Sequence, residues 1–148
     1  MVRTDQKLSI VIKMLESLRA SIELLNTHKR NMPLKTITVE EQIDLALRDS
    51  IIFRFKHGVS HFLELVALYL EDVEKVTLLA NTPSGIIRAA VEARMITEDQ
   101  GQQCIEMIKD RNLTSHIYRE EIAEDIKSKA PRYYDLQKAI VASIQKRM

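Results

Sequence analysis

An apolar pattern of helical period continues along most of the chain and constrains its fold more than any other feature. Near the N-terminus the apolar residues recur at steps of three and four, at Leu8, Ile12, Leu15, Leu18, Ile22 and Leu25. This spacing places the side chains on one face of a helix. With only 3 Gly and 3 Pro in 148 residues, the chain lacks the turn residues that a β-sandwich or barrel requires. The pattern therefore predicts an all-α protein with long helices and few connections.

The interruptions of this pattern predict six helices. A capping box of Thr97 and Gln100 opens the fourth helix, Ser84 caps the third, and Pro131 separates the last two. Short links make neighbouring helices antiparallel. We therefore expect a single domain over residues 1–148, an up-and-down bundle with a four-helix core and extra short helices. The predicted helices cover about residues 5–29, 41–76, 86–93, 97–109, 117–130 and 132–148.

Charge and composition restrict the functional classes. The formal net charge is only +1, so any contact with RNA requires a local basic patch. The lone Cys104 cannot form an internal disulfide, and the N-terminal residues lack the continuous apolar core of a signal peptide. No stretch is apolar enough to span a bilayer. We expect a cytoplasmic protein without a membrane segment. Because the sequence contains no Gly-rich phosphate loop and no paired-cysteine motif, we predict no cofactor.

Three polar residues of the second helix have the spacing of metal ligands. His57, His61 and Glu64 share one face, at positions i, i+4 and i+7. One helix supplies at most three ligands, however, and Arg54 one turn earlier opposes a bound cation. Polar stripes of this kind are usually solvated or interfacial, so we predict no metal site here.

The residues with the strongest chemical potential form the RNLTSHIY segment, residues 111–118. Five positions separate Arg111 from His116, and on an unbroken helix their side chains diverge by about 140°. Asn112, Thr114 and Ser115 favour a break because their short polar side chains compete for backbone hydrogen bonds. A kink at 112–115 is predicted to aim Arg111 and His116 into one cleft. Thr114 or Ser115 then caps the following helix.

Such a pair suits RNA cleavage without a metal. A histidine exchanges protons near neutral pH, and an arginine binds a phosphate through two parallel hydrogen bonds. His116 would move protons at the 2′-hydroxyl or the leaving oxygen, Arg111 would stabilise charge on the phosphate, and Asn112 would orient either group. Tyr118 adds a hydroxyl that binds phosphate or is itself modified. The alternative is purely structural: Thr114 and Ser115 cap a helix, and His116 is a surface residue.

The RNLTSHIY segment resembles the signature of the HEPN superfamily, with Arg111, Asn112, His116 and Tyr118 all matching. More narrowly, nearly the whole chain is similar to the nucleotidyltransferase substrate-binding protein family. The stretch RDSIIFRFKHGVSHFLELVALYLE looks like the long second helix of that family, and the RNLTSHIY segment lies in a second half similar to its motif-bearing half.

This resemblance implies an antiparallel helical bundle that forms a homodimer and binds a minimal nucleotidyltransferase, often encoded next to it, as a toxin–antitoxin pair. The helical protein would be a metal-independent endoribonuclease toxin with Arg111 and His116 in catalytic roles. The transferase would silence it by attaching AMP to Tyr118. The alternative is a non-catalytic subunit that binds substrate for the transferase, and a third is a structural adaptor.

Overall fold

The computed structural model describes residues 2–31 and 37–148. Within these ranges every regular element is helical, which confirms the predicted all-α class. The helices are α1 (Val2–Asn31), α2 (Ile37–Asp72), α3 (Pro83–Glu92), α4 (Glu98–Leu113) and α5 (Glu120–Arg147), with one 3₁₀ turn at Thr114–His116 between α4 and α5.

The four long helices alternate in direction. Thr4 of α1 donates a hydrogen bond to Asp72 at 3.1 Å, and Arg54 donates to the carbonyl oxygen of Ser17 at 2.7 Å. Residue numbers therefore rise on α1 as they fall on α2, which makes these helices antiparallel. Along α5 the Arg132 guanidinium meets Glu106 of α4 at 2.9 Å, and its Arg147 donates to the carbonyl oxygen of Arg94, just before α4. These two helices are antiparallel as well.

The core is formed mainly by the face of α2 that the other helices cover. Phe55, Phe62 and Tyr69 are fully buried there, and the Phe55 ring stacks on Tyr133 of α5 with centroids 5.5 Å apart. Burial of each such side chain contributes about 1.5–3 kcal/mol. Since α1, α3, α4 and α5 all pack against α2, α2 is the central helix, and the fold is the predicted bundle with α3 and the 3₁₀ turn as its short additions.

Several predicted boundaries are wrong. The last two predicted helices are one continuous helix, α5, with Pro131 inside it. The buried residues Ala123, Ile126, Ala130 and Tyr133 lie on both sides of the proline. Their packing outweighs the cost of about 3 kcal/mol that an interior proline carries.

The other differences concern helix ends. The cap of α3 is Thr82, whose hydroxyl accepts from the Gly85 amide, and not Ser84. The capping box of Thr97 and Gln100 is confirmed. Helix α4 continues four residues beyond the predicted end at Lys109, to Leu113. Helix α2 begins before residue 41 and ends at Asp72, whereas part of the predicted link, residues 32–36, lies outside the described residues. No helix in the described ranges is long and apolar enough to cross a membrane.

Candidate functional site

The RNLTSHIY segment lies where α4 ends and the 3₁₀ turn begins. Arg111 and Asn112 belong to the last turn of α4, where a cation is favourable beside the negative end of the helix dipole. Asn112 and His116 are exposed, and Arg111 is half-buried. Helix α4 ends at Leu113, so the break begins at Thr114 and not at Asn112, where we predicted it to begin.

Two hydroxyl groups end α4 and do not start α5. Thr114 Oγ1 donates to the carbonyl oxygen of Arg111 at 2.6 Å, and Ser115 Oγ donates to that of Asn112 at 3.3 Å. Both bonds satisfy carbonyl groups that a helix C-terminus leaves without partners. The residue at the N-cap of α5 is Arg119, which makes no side-chain capping bond. The prediction that Thr114 or Ser115 caps the following helix is wrong for this reason.

His116 and Tyr118 form a direct side-chain contact. The Nδ1 atom of His116 lies 3.3 Å from the Tyr118 hydroxyl, and the two rings meet edge to face with centroids 5.9 Å apart. Tyr118 is 79% exposed. The 3₁₀ turn thus presents an imidazole and a phenol together at the surface.

Arg111 has a different environment. Its Nε atom is buried and has no hydrogen-bond partner among the described residues, although a guanidinium N–H in that position is a strong donor. No hydrogen bond joins Arg111 to His116 in the described part of the chain. The predicted convergence of these two side chains in one cleft stays a prediction.

A buried carboxylate next to Arg111 holds the end of α4 in place. The Asp110 side chain is buried, with 5% exposure. Its carboxylate accepts hydrogen bonds from two residues of α5, the Tyr133 hydroxyl and, at 3.3 Å, Lys129 Nζ. Burial raises the pKa of the Tyr133 phenol above its ordinary value, and its bond to Asp110 adds to the effect. The phenol therefore remains a neutral donor to Asp110 throughout the physiological pH range.

A buried guanidinium holds the start of α5. Arg48 of α2 is 7% exposed and donates to Glu120 at 2.9 Å and to Glu124 at 3.2 Å. The pKa of Glu124 lies below its ordinary value because Lys127 and Arg48 both stabilise its carboxylate. The RNLTSHIY segment is thus fixed on one side by the Asp110 contacts and on the other by Arg48.

The sequence patterns predicted neither Arg48 nor Asp110 as a support of this segment. The burial of Arg48 could have been predicted, because Arg48 precedes the apolar Ile52 and Phe55 by four and seven positions and therefore lies on the same buried face of α2. Asp110 had no such indication beyond its position next to Arg111, because its partners lie on another helix.

The His57, His61 and Glu64 stripe is not arranged as a ligand set. The Lys7 ammonium of α1 contacts both His61 Nδ1 and the Glu64 carboxylate. The His57 ring instead packs against Phe53, with centroids 4.4 Å apart. Across residues 2–31 and 37–148, no three His, Cys, Asp or Glu side chains are grouped to hold a metal ion.

Fold and site together define a class: all-α bundle proteins that expose a short polar segment between their last two long helices. Residues 6–146 match the family described as nucleotidyltransferase substrate binding protein like, and the chain belongs to this family. The crystal structure of a protein from Thermus thermophilus has a similar fold, with a TM-score of 0.70 and 25% sequence identity over 90% of this chain and 98% of that one. None of the curated proteins compared with the chain matches it.

Proposed function

We propose that this protein is the helical partner of a minimal nucleotidyltransferase and presents its RNLTSHIY segment to that enzyme. Family membership supports the partnership. The observation that carries the proposal is the exposure of Tyr118, at 79%, whereas Tyr69 and Tyr133 are buried and Tyr134 is half-buried. A transferase needs an accessible hydroxyl, so Tyr118 is the acceptor of AMP.

Co-expression with a minimal nucleotidyltransferase tests this function. We expect the two proteins to purify together and the helical protein to gain the mass of AMP on Tyr118. The Tyr118→Phe variant should bind the transferase but lose the added mass, and Tyr134→Phe should keep it. Failure to bind the transferase would contradict the partnership, whereas binding without modification would contradict only the role of Tyr118.

A second candidate function is metal-independent RNA cleavage, as in a HEPN-type toxin whose activity the transferase silences. The support is the exposure of His116 in the 3₁₀ turn that follows α4, together with Arg111 in the last turn of α4, whose buried Nε lacks a partner among the described residues. In this function His116 moves protons, Arg111 stabilises charge on the phosphate, and Asn112 orients either group. AMP on Tyr118 then acts as the antitoxin modification.

Cleavage of RNA by the purified protein in EDTA distinguishes these candidates. His116→Ala should abolish cleavage, and His57→Ala, an exposed histidine on α2, should not. Mass spectrometry has to show an unmodified Tyr118 in the sample. If the unmodified protein leaves RNA intact, the toxin function is wrong and the non-catalytic partner remains.

We also propose a homodimer as the functional unit. A two-fold arrangement would bring two RNLTSHIY segments toward one groove and concentrate positive charge that the net charge of +1 conceals. Light scattering after size-exclusion chromatography measures the mass directly. A monomeric mass at micromolar concentration would refute this part of the proposal.

A further inference from the structure

The contact between His116 and Tyr118 has the geometry of a base beside an acid. Nδ1 of His116 lies 3.3 Å from the Tyr118 oxygen, and the Arg119 amide donates to the His116 carbonyl oxygen at 3.0 Å. This backbone bond holds the short stretch between the two side chains in a turn. In the tautomer that carries its proton on Nε2, the ring accepts from the phenol through Nδ1.

We propose that His116 is the general base that activates the Tyr118 hydroxyl for nucleotidyl transfer, an inference that rests on the proposed role of Tyr118 as the AMP acceptor. The Tyr118 oxygen attacks the α-phosphorus of a nucleoside triphosphate. A new P–O bond forms there, the bond from that phosphorus to the bridging oxygen breaks, and pyrophosphate leaves. The phenol proton passes to His116 Nδ1.

The other tyrosines lack this combination of exposure and a neighbouring base. The Tyr69 hydroxyl is buried and donates to Glu74 at 2.6 Å, and that of Tyr133 donates to buried Asp110. Tyr134 is half-buried, and the Lys138 ammonium lies 5.8 Å from the centre of its ring. In the described part of the chain, Tyr118 is the tyrosine with an imidazole at its hydroxyl.

If both proposed roles hold, the contact would also couple the modification of Tyr118 to the accessibility of His116. A phosphodiester on the Tyr118 oxygen would stand beside the His116 ring and carry a negative charge. It would occupy the space through which an RNA phosphate approaches that ring. One imidazole would therefore serve the modification of Tyr118 and, once the reaction is complete, be blocked by its product.

The nucleophilicity of Tyr118 is testable without a partner protein. A dialkyl phosphorofluoridate is a suitable probe, because the phenol oxygen forms a P–O bond, the P–F bond breaks, fluoride leaves and the phenol proton goes to the base. Peptide mass spectrometry gives the rate of labelling at each tyrosine. Tyr134 is the internal reference, and Tyr118→Phe shows which adduct belongs to residue 118.

Two substitutions separate proton transfer from hydrogen bonding. Gln accepts a hydrogen bond through its amide oxygen but takes no proton, whereas Ala does neither. We expect labelling of Tyr118 to slow by on the order of 100-fold in both His116→Gln and His116→Ala, in line with general-base catalysis. Added imidazole should restore labelling in His116→Ala, and Tyr134 should react equally in every variant.

Labelling that stays fast in His116→Gln would reduce His116 to a hydrogen-bond acceptor and overturn its role as base. Equal rates in the wild type and in His116→Ala would overturn the proposal altogether. The same variants incubated with transferase and ATP should lose AMP incorporation to a similar extent. A wild-type protein that reacts rapidly with the probe but accepts no AMP would show that the acceptor role has failed while the activated phenol is real.

Discussion

The buried bond between Tyr133 and Asp110, the residue that precedes Arg111, gives a measurable prediction when it is removed. Tyr133 and Asp110 are 1% and 5% exposed. The Tyr133→Phe substitution leaves the carboxylate with Lys129 Nζ at 3.3 Å as its remaining side-chain donor in the described residues. A hydrogen bond to a charged group contributes about 1.5–3 kcal/mol, so we expect the free energy of unfolding to fall by about 2 kcal/mol. For a protein of this size the melting temperature should fall by about 4–8 °C.

Urea denaturation followed by circular dichroism measures this change, and Tyr134→Phe is the matched control. Tyr134 is the next residue of α5 and is half-buried, but its hydroxyl takes no part in the Asp110 contact. We expect that control to lie within about 0.5 kcal/mol of the wild type. A double-mutant cycle of Tyr133→Phe with Asp110→Asn should give a coupling energy of about 1 kcal/mol or more, because the two groups touch.

Equal stability of Tyr133→Phe and Tyr134→Phe, or a double-mutant cycle without coupling, would contradict this prediction. In either case the Asp110 carboxylate would not depend on the phenol. The claim that this contact fixes the end of α4, and with it the backbone of Arg111, would then lose its basis.

Four further substitutions test the packing and the protonation state of the core. Gly58→Ala should raise the free energy of unfolding by about 1 kcal/mol, because Ala favours a helix and a Cβ at this position meets nothing within 4 Å. Gly101→Ala should lower the free energy of unfolding, because its Cβ would lie 2.6 Å from Val91 Cγ2. Chemical denaturation that shows the same change in stability for both variants would contradict this prediction. Pro131→Ala should raise the free energy of unfolding by about 1–3 kcal/mol by restoring a backbone donor within α5, and a loss of stability would mean that packing requires the proline. Burial raises the pKa of the Cys104 thiol from 9.0 to about 12. The thiol therefore loses its proton at lower pH in the unfolded chain than in the folded one, and the free energy of unfolding should fall as pH rises above 9, by about 2.5 kcal/mol at pH 11. Denaturation at pH 8 and pH 11 should show a smaller fall for Cys104→Ala than for the wild type, and an equal fall would contradict this pKa.

The sequence predicted the helical class and most helices because apolar periodicity records burial directly. The Thr97 capping box was readable because its two residues lie three positions apart and interact locally. The errors arose where local propensity opposed tertiary packing. Proline disfavours a helix interior, but Ala130 and Tyr133 on either side of Pro131 are buried in the core, and their packing keeps α5 continuous.

The residues of the candidate site were proposed from the sequence, whereas the contacts that support them were not foreseen. Arg111, His116 and Tyr118 could be singled out because the RNLTSHIY segment is continuous and chemically unusual. Asp110 and Tyr133 are 23 positions apart, and Arg48 is 72 positions from Glu120. Pairs at such separations depend on how the helices pack, and no local pattern specifies them.

Under the proposed function, the two supports would keep the RNLTSHIY segment in one position for recognition by a partner. Asp110 ties the end of α4 to α5, and Arg48 ties the start of α5 to α2. The chain between them is therefore held at both ends, while His116 and Tyr118 remain exposed. Binding to a segment held in this way costs less conformational entropy than binding to a free loop, because the segment is already ordered. Under the proposed function, the contacts on both sides of the break would favour binding by the nucleotidyltransferase although they lie outside the residues that it would touch.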